Sequence, residues 1–166
     1  MDDLPIYLDS LSLAEAFLRL VLALAFGYFI GYDRNKKHKP IDFRVYMIVA
    51  AATTLLAIMS LELLHIYEAR HDDMSLDVMK MVQGVLTGIG FLGAGAIMKS
   101  ENDNEIIGTA TGASIWAAGA MGLMIGFGLY SLAILGFTSL LVILVVFGYF
   151  REDLFGNGDK SDTEQK

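Results

Sequence analysis

Residues Thr109–Phe150 read TATGASIWAAGAMGLMIGFGLYSLAILGFTSLLVILVVFGYF. A helix rises about 1.5 Å per residue and the hydrocarbon core of a bilayer is about 30 Å thick, so roughly 20 apolar residues cross it once. This stretch would overshoot as a single helix. It divides at Gly126-Phe127-Gly128-Leu129-Tyr130 into two spans, Thr109–Phe127 and Leu129–Phe150, joined by a tight hairpin. The same measure applied toward the N-terminus gives spans at Leu13–Tyr32, Phe43–Leu64 and Val78–Met98. One small soluble domain could not bury all of them. The expected fold is all-α, a polytopic membrane helix bundle with five transmembrane helices.

Composition agrees. Hydrophobic residues make up 55% of the chain and mean hydropathy is +0.53, both high for a soluble domain. The net charge of −7 sits mostly in termini and loops. No Lys/Arg stripe follows a helix face, so the expected partner is the lipid bilayer and not nucleic acid. The absence of cysteine excludes disulfide and thiol chemistry. Met1-Asp2-Asp3 supplies no basic leader and no small-residue cleavage site follows the first apolar run, which therefore reads as an anchor, not a cleaved signal. Nine of the twelve Lys and Arg fall on one side: Arg34, Lys36, Lys37, Lys39 and Arg44 after the first span, Lys99 after the third, and Arg151, Lys160 and Lys166 after the fifth. The positive-inside rule makes that side cytoplasmic, with the N-terminus outside and the C-terminus inside, as an odd number of spans requires.

Local signals mark the joints. Ser12-Leu13-Ala14-Glu15 fits a capping box. Gly27 and Gly31 lie four apart near the end of the first helix, and Lys39-Pro40 breaks the loop that follows. The second span ends near Glu62, and an acidic external loop runs to Asp77. Lys99 to Glu105 forms a short charged turn. Residues 1–150 read as one membrane domain and 151–166 as a disordered cytoplasmic tail.

Eleven of the seventeen glycines lie between Gly84 and Gly128. Small residues let helix backbones approach closely in lipid, where packing replaces the hydrophobic effect as the driving force. Ala110, Ser114, Ala118, Gly122 and Gly126 form an i, i+4 ladder, one smooth face able to seat another helix along its length. The third span offers Gly84, Gly88, Gly90, Gly93, Ala94 and Gly95, and close packing of the third and fourth helices is favoured over a ligand site. Gly88-Ile89-Gly90-Phe91-Leu92-Gly93 also matches G-x-G-x-x-G, but inside an apolar span with no preceding strand that match carries no nucleotide chemistry. An alternative is that Gly88 to Gly95 unwinds part of the helix and exposes carbonyls to an ion. Trp116, a third of the way along its span, is expected to be a buried packing anchor.

Four charges are candidates for function. Arg19 lies well inside the first span, where a charge costs at least about 2.5 kcal/mol, so it needs a partner or water. Glu15, one turn earlier, and Glu62 lie on the same side of the membrane, and a structural ion pair is favoured over an ion pathway. Asp33 and Arg34 end the first helix and Arg44 opens the second; either they meet solvent or they form a charged cluster at the inner mouth. No nucleophile-and-base set occurs, and His38, His65 and His71 have no zinc spacing, so catalysis is not expected. Asp72, Asp73 and Asp77 read as a solvated loop.

Gly88-Ile89-Gly90-Phe91-Leu92-Gly93-Ala94-Gly95-Ala96-Ile97, a polar turn, and then Gly108-Thr109-Ala110-Thr111-Gly112-Ala113-Ser114-Ile115-Trp116-Ala117-Ala118 closely resembles the signature of the MgtC/SapB membrane proteins. Arg19-Leu20, Gly27, Ile30-Gly31, Asp33 and Arg34 agree as well, so the resemblance extends from Arg19 to Tyr130. Departures occur at Phe43-Arg44-Val45-Tyr46, where Leu-Arg-Thr-His is common, at Asp33, where Glu is usual, and at Thr109-Ala110-Thr111-Gly112, where Leu-Thr-Thr-Ala is common. Some members add a soluble C-terminal domain that is missing here, which argues against a role that needs one.

The resemblance implies a multi-pass protein of the bacterial inner membrane linked to magnesium homeostasis, low-magnesium growth or virulence. Better-studied members look like regulators that bind other membrane complexes, including the ATP synthase. The leading expectation is thus a non-enzymatic regulator working through helix contacts with other membrane proteins. The rivals are a cation transporter or channel built around the glycine-rich third helix, and a structural subunit of a larger assembly. No cofactor is expected, Mg2+ is left open as a ligand, and a homo-oligomer is weakly favoured.

Overall fold

The structure is a computed structural model and describes residues 10–36, 41–69, 77–99 and 106–147. Five α-helices make up the described chain: α1 Leu13–Lys36, α2 Phe43–Ala69, α3 Val78–Gly95, α4 Thr109–Gly126 and α5 Tyr130–Val142, the last continuing into a π-helical turn, Ile143–Phe147. A two-residue antiparallel ribbon closes the α3–α4 connection, β1 (Met98–Lys99) pairing Met98 with Ile107 and Lys99 with Ile106 of β2 (Ile106–Ile107). The fold is all-α, as expected. By length and composition, α1, α2 and α3 are long and apolar enough to cross a membrane. α4 has 18 residues but is diluted with Gly, Thr and Ser, and the apolar helix that follows it is shorter.

Helix ends differ from the sequence expectation for local reasons. At the start of α1 the Glu15 amide donates to Ser12 Oγ at 3.2 Å, but the Glu15 carboxylate turns to Arg19 instead of back to the chain, so half of the capping box forms. α1 and α2 run past the apolar spans, to Lys36 and Ala69, because a helix keeps its backbone groups paired beyond the apolar stretch. α3 stops at Gly95, three residues early, where the Ala96 amide turns back to the Gly93 carbonyl and the chain enters β1. It is helical without interruption from Val78 to Gly95, so the unwound segment considered for Gly88 to Gly95 does not occur. Between α4 and α5, Leu129 N donates to Met124 O at 2.8 Å and Gly128 N to Ile125 O at 2.9 Å. This is a Schellman closure, and Gly128 supplies its left-handed residue at φ +76°.

Glycines set the packing. α1 and α2 run antiparallel with backbones in contact: a Cβ on Gly27 would lie 2.7 Å from Met47 Cα, and one on Gly31 would lie 2.7 Å from the Phe43 carbonyl oxygen. The ladder on α4 seats α2 of the same chain. A Cβ on Gly122 would overlap Thr53 Oγ1 and the Ala50 carbonyl, and one on Gly126 would lie 2.7 Å from the Thr54 carbonyl oxygen. Ser114, Ala118, Gly122 and Gly126 are all buried, while Ala110 at the ladder's start is exposed. Thr54 Oγ1 crosses this seam to the Gly122 carbonyl at 2.8 Å. α4 therefore occupies the middle of the bundle, with α1 and α2 on one side.

α3 meets α4 on another face at a backbone crossing of Gly93 and Gly112, and Ile89 fills the space over Gly119. α5 covers the rest, with Gly136 against Met121 and Phe137 stacked on Phe26 of α1 at 4.4 Å. The expected close packing of the third and fourth helices is thus confined to one part of the glycine run. Among the described residues, nothing lies within 4 Å of the Cβ position of Gly84, Gly88, Gly90 or Gly95. The 100–105 turn, Lys39-Pro40, the loop carrying Asp72 and Asp73, residues 148–150 and the tail 151–166 lie outside the described residues.

Candidate functional site

The two arginines of α1 are both buried, at opposite ends of the bundle. At the end where α1 begins, Arg19 spreads its guanidinium over three acceptors. Nη1 donates to the Gly126 carbonyl at 2.6 Å, Nε to Tyr130 Oη at 3.2 Å and Nη2 to the Glu15 carboxylate. Gly126 is the last residue of α4, so its carbonyl has no intrahelical donor, and a cation there also meets the negative end of the helix dipole. Arg19 also lies 5.9 Å from the centre of the Tyr130 ring. The expected pairing with Glu15 is present, and the side chain turns inward to cap α4. Glu62 at the same end accepts the Ser10 hydroxyl at 2.6 Å.

At the other end, Arg34 is 5% exposed, Tyr46 0% and Thr111 1%. Side chains lean toward the N-terminus of their own helix. In the antiparallel α1–α2 pair this tilt brings Arg34 back into the bundle and Tyr46 toward the bundle's end, so the two converge. Thr111, in the first turn of α4, closes the group. Tyr46 is near enough to interact with both Arg34 and Thr111. Even so, Arg34 Nε, Tyr46 Oη and Thr111 Oγ1 are buried with no aligned hydrogen-bond partner among the described residues. Buried polar atoms left so typically cost about 1–3 kcal/mol each.

Thr111 is distinctive in this. Thr53, Thr54, Thr87, Ser114, Thr138 and Ser139 all turn their hydroxyls onto a carbonyl four residues back at 2.7–3.0 Å. Four residues before Thr111 is Ile107, which belongs to β2 and not to the helix.

Of the expected inner-mouth cluster, Arg34 is buried in the site, and Asp33 lies beside it in the chain, part-exposed. Arg44 is not in it: its side chain is exposed and is held by Asp42, with Nε to Oδ2 at 2.9 Å and Nη2 to Oδ2 at 2.6 Å. Asp42 sits at the mouth of α2 and also accepts the Arg44 amide, so a local turn captures this arginine before it can reach the bundle. Trp116 corrects a second expectation. It is 46% exposed and lines an open groove of about 560 Å³ with Met79, Val82, Gln83, Leu86 and Thr87, since the buried positions of α4 are taken by small residues against α2. Tyr46 and Thr111 were not singled out as site residues from sequence; both lie in segments that depart from the MgtC/SapB pattern.

Among the described residues, no group of three or more His, Cys, Asp or Glu is placed to hold a metal ion.

The MgtC family matches residues 20–152. Protein SapB of Bacillus subtilis is 34% identical over 131 residues, covering 79% of this chain and 54% of its own length. The putative magnesium transporter YhiD of Escherichia coli K12 is 35% identical over 138 residues, 81% of this chain and 61% of its own. Protein MgtC of Brucella abortus strain 2308 is 31% identical over 119 residues, 72% of this chain and 45% of its own. The chain therefore spans about half the length of these curated relatives. No solved structure matches. With the match running from α1 through the π-helical turn, this chain belongs to the MgtC family.

Proposed function

We propose that this protein is a non-enzymatic regulator in the bacterial inner membrane, linked to magnesium homeostasis or virulence, that works by lending a helix face to other membrane proteins. The names of YhiD and MgtC support the link to magnesium. In this reading all five helices cross the bilayer, with the Arg34 end cytoplasmic, in keeping with the distribution of Lys and Arg. α4 crosses inside the bundle, where its small residues are covered by protein.

The observation that carries the reading is the open face of α3. Among the described residues, Gly84, Gly88 and Gly95 have nothing within 4 Å of their Cβ positions, and Phe91 beside them is 81% exposed. Small residues on an apolar helix admit a second helix at close range. Gly122 and Gly126 cannot serve a partner, since α2 of the same chain occupies them.

Cross-linking in native membranes with Gly84→Leu and Gly88→Leu tests this. Both variants are expected to leave the bundle folded, because the added atoms meet nothing, and to lose the cross-linked partner. An unchanged set of partners overturns the reading. Transport is the competing reading, favoured by the name of YhiD. Magnesium flux in proteoliposomes of the purified chain that depends on Gly90 and Gly93 would select it.

A further inference from the structure

We propose that Arg34, Tyr46 and Thr111, with the N-terminus of α4, form a binding site for a phosphate group. The argument begins with donors. Arg34 Nε–H can only donate, and the Tyr46 and Thr111 hydroxyls can donate to a shared acceptor. All three are more than nine-tenths buried and none has an aligned partner among the described residues. A guanidinium repels metal cations, so the missing group is an acceptor, and a negative one answers the buried charge.

The backbone adds to this. α4 begins at Gly108, whose left-handed conformation at φ +87° provides no side-chain cap. The first intrahelical bond is Gly112 N to Gly108 O at 2.8 Å, which leaves the amides before it without intrahelical acceptors. The positive end of the helix dipole therefore lies at Thr111, the arrangement that accepts phosphate elsewhere. Gly108 cannot be replaced by a capping residue, because a Cβ there would overlap the Ala96 carbonyl. The N-cap residue itself thus brings no carboxylate or hydroxyl to the helix start.

The arrangement suits a phosphate. The three side chains come from three different helices, α1, α2 and α4, so they approach from separate directions. A tetrahedral group offers a separate oxygen to each. The site is at the end of the bundle, and the phosphate group could come from a soluble phosphate or from a lipid headgroup. It stands independently of any docking on α3.

The test uses the full chain purified in detergent. In one arm, thermal unfolding is compared in inorganic phosphate and in chloride at matched ionic strength. In the other, native mass spectrometry reads phospholipid carried through purification. Stabilisation by phosphate identifies a soluble ligand, and a retained phospholipid identifies a headgroup. Tyr46→Phe and Thr111→Val preserve shape while removing one hydroxyl each. Either variant is expected to weaken the binding seen in wild type by about tenfold or more, as for a hydrogen bond to a charged group. Wild-type protein that shows neither response, or variants that bind undiminished, overturn the site.

Discussion

Arg19 Nη1 donates to the Gly126 carbonyl across 2.6 Å, so a side chain in the first helix terminates the fourth. This contact joins residues 107 apart in sequence and is buried. Arg19→Gln removes the charge and cannot serve Gly126, Tyr130 and Glu15 together. We expect a loss of about 2–4 kcal/mol, since it leaves a buried carbonyl and part of an ion pair unanswered. Thermal unfolding in detergent measures it. Arg19→Lys should recover only part, because an ammonium lacks the planar fork.

The glycines separate into two classes that a pair of alanine substitutions distinguishes. Gly122→Ala drives a methyl group into Thr53 and the Ala50 carbonyl, and overpacking of this kind costs about 1–3 kcal/mol or more. Gly88→Ala meets nothing and is expected to be neutral or to gain up to about 1 kcal/mol from helix propensity. The unfolding midpoints of the two variants should fall on opposite sides of wild type, or the second should coincide with it.

Acid should act at the mouth of α2. The Arg44 side chain, and then its amide, hydrogen-bond to Asp42 and hold its carboxyl below the usual 3.8. A carboxyl depressed on folding contributes stability that is complete above its unfolded value and is lost as pH falls through the folded one. The expected effect is confined to pH below about 4 and is small, because the pair is exposed. Asp42→Asn should flatten that part of the pH–stability curve by lowering stability slightly at neutral pH and leaving the acid end nearly unchanged.

Trp116 is the chain's single tryptophan, so its fluorescence reports one place. Because it is half exposed on the groove between α3 and α4, lipids brominated along the acyl chain should quench it strongly in reconstituted protein. A tryptophan enclosed by helices would be shielded, and weak quenching would contradict the exposed position.

Much of this architecture is legible in the order of residues. Apolar length places the helices, and Gly126–Tyr130 marks the sharp turn that Gly128 makes with its positive φ. What a linear reading misses is which neighbour each small residue meets. Gly122 and Gly88 look alike in sequence, yet one is pressed against α2 and the other is open. The charges show the same limit. Arg34 and Arg44 flank one loop, but Asp42, two residues before Arg44, captures it locally, while the Arg34 side chain is buried with its Nε unpaired among the described residues. Tyr46 and Thr111 join Arg34 only through the tilt of side chains in helices that are distant in sequence.

The seam between α2 and α4 also bears on how the molecule is made. The two helices lie side by side and point the same way, with all of α3 synthesised between them. By the time Thr109–Gly126 leaves the ribosome, the surface formed by Ala50, Thr53, Thr54 and Ala57 has already been built. α4 is thus delivered to a seat that is waiting for it. Lengthening the α3–α4 connection should matter less to assembly than any change that blunts that seat.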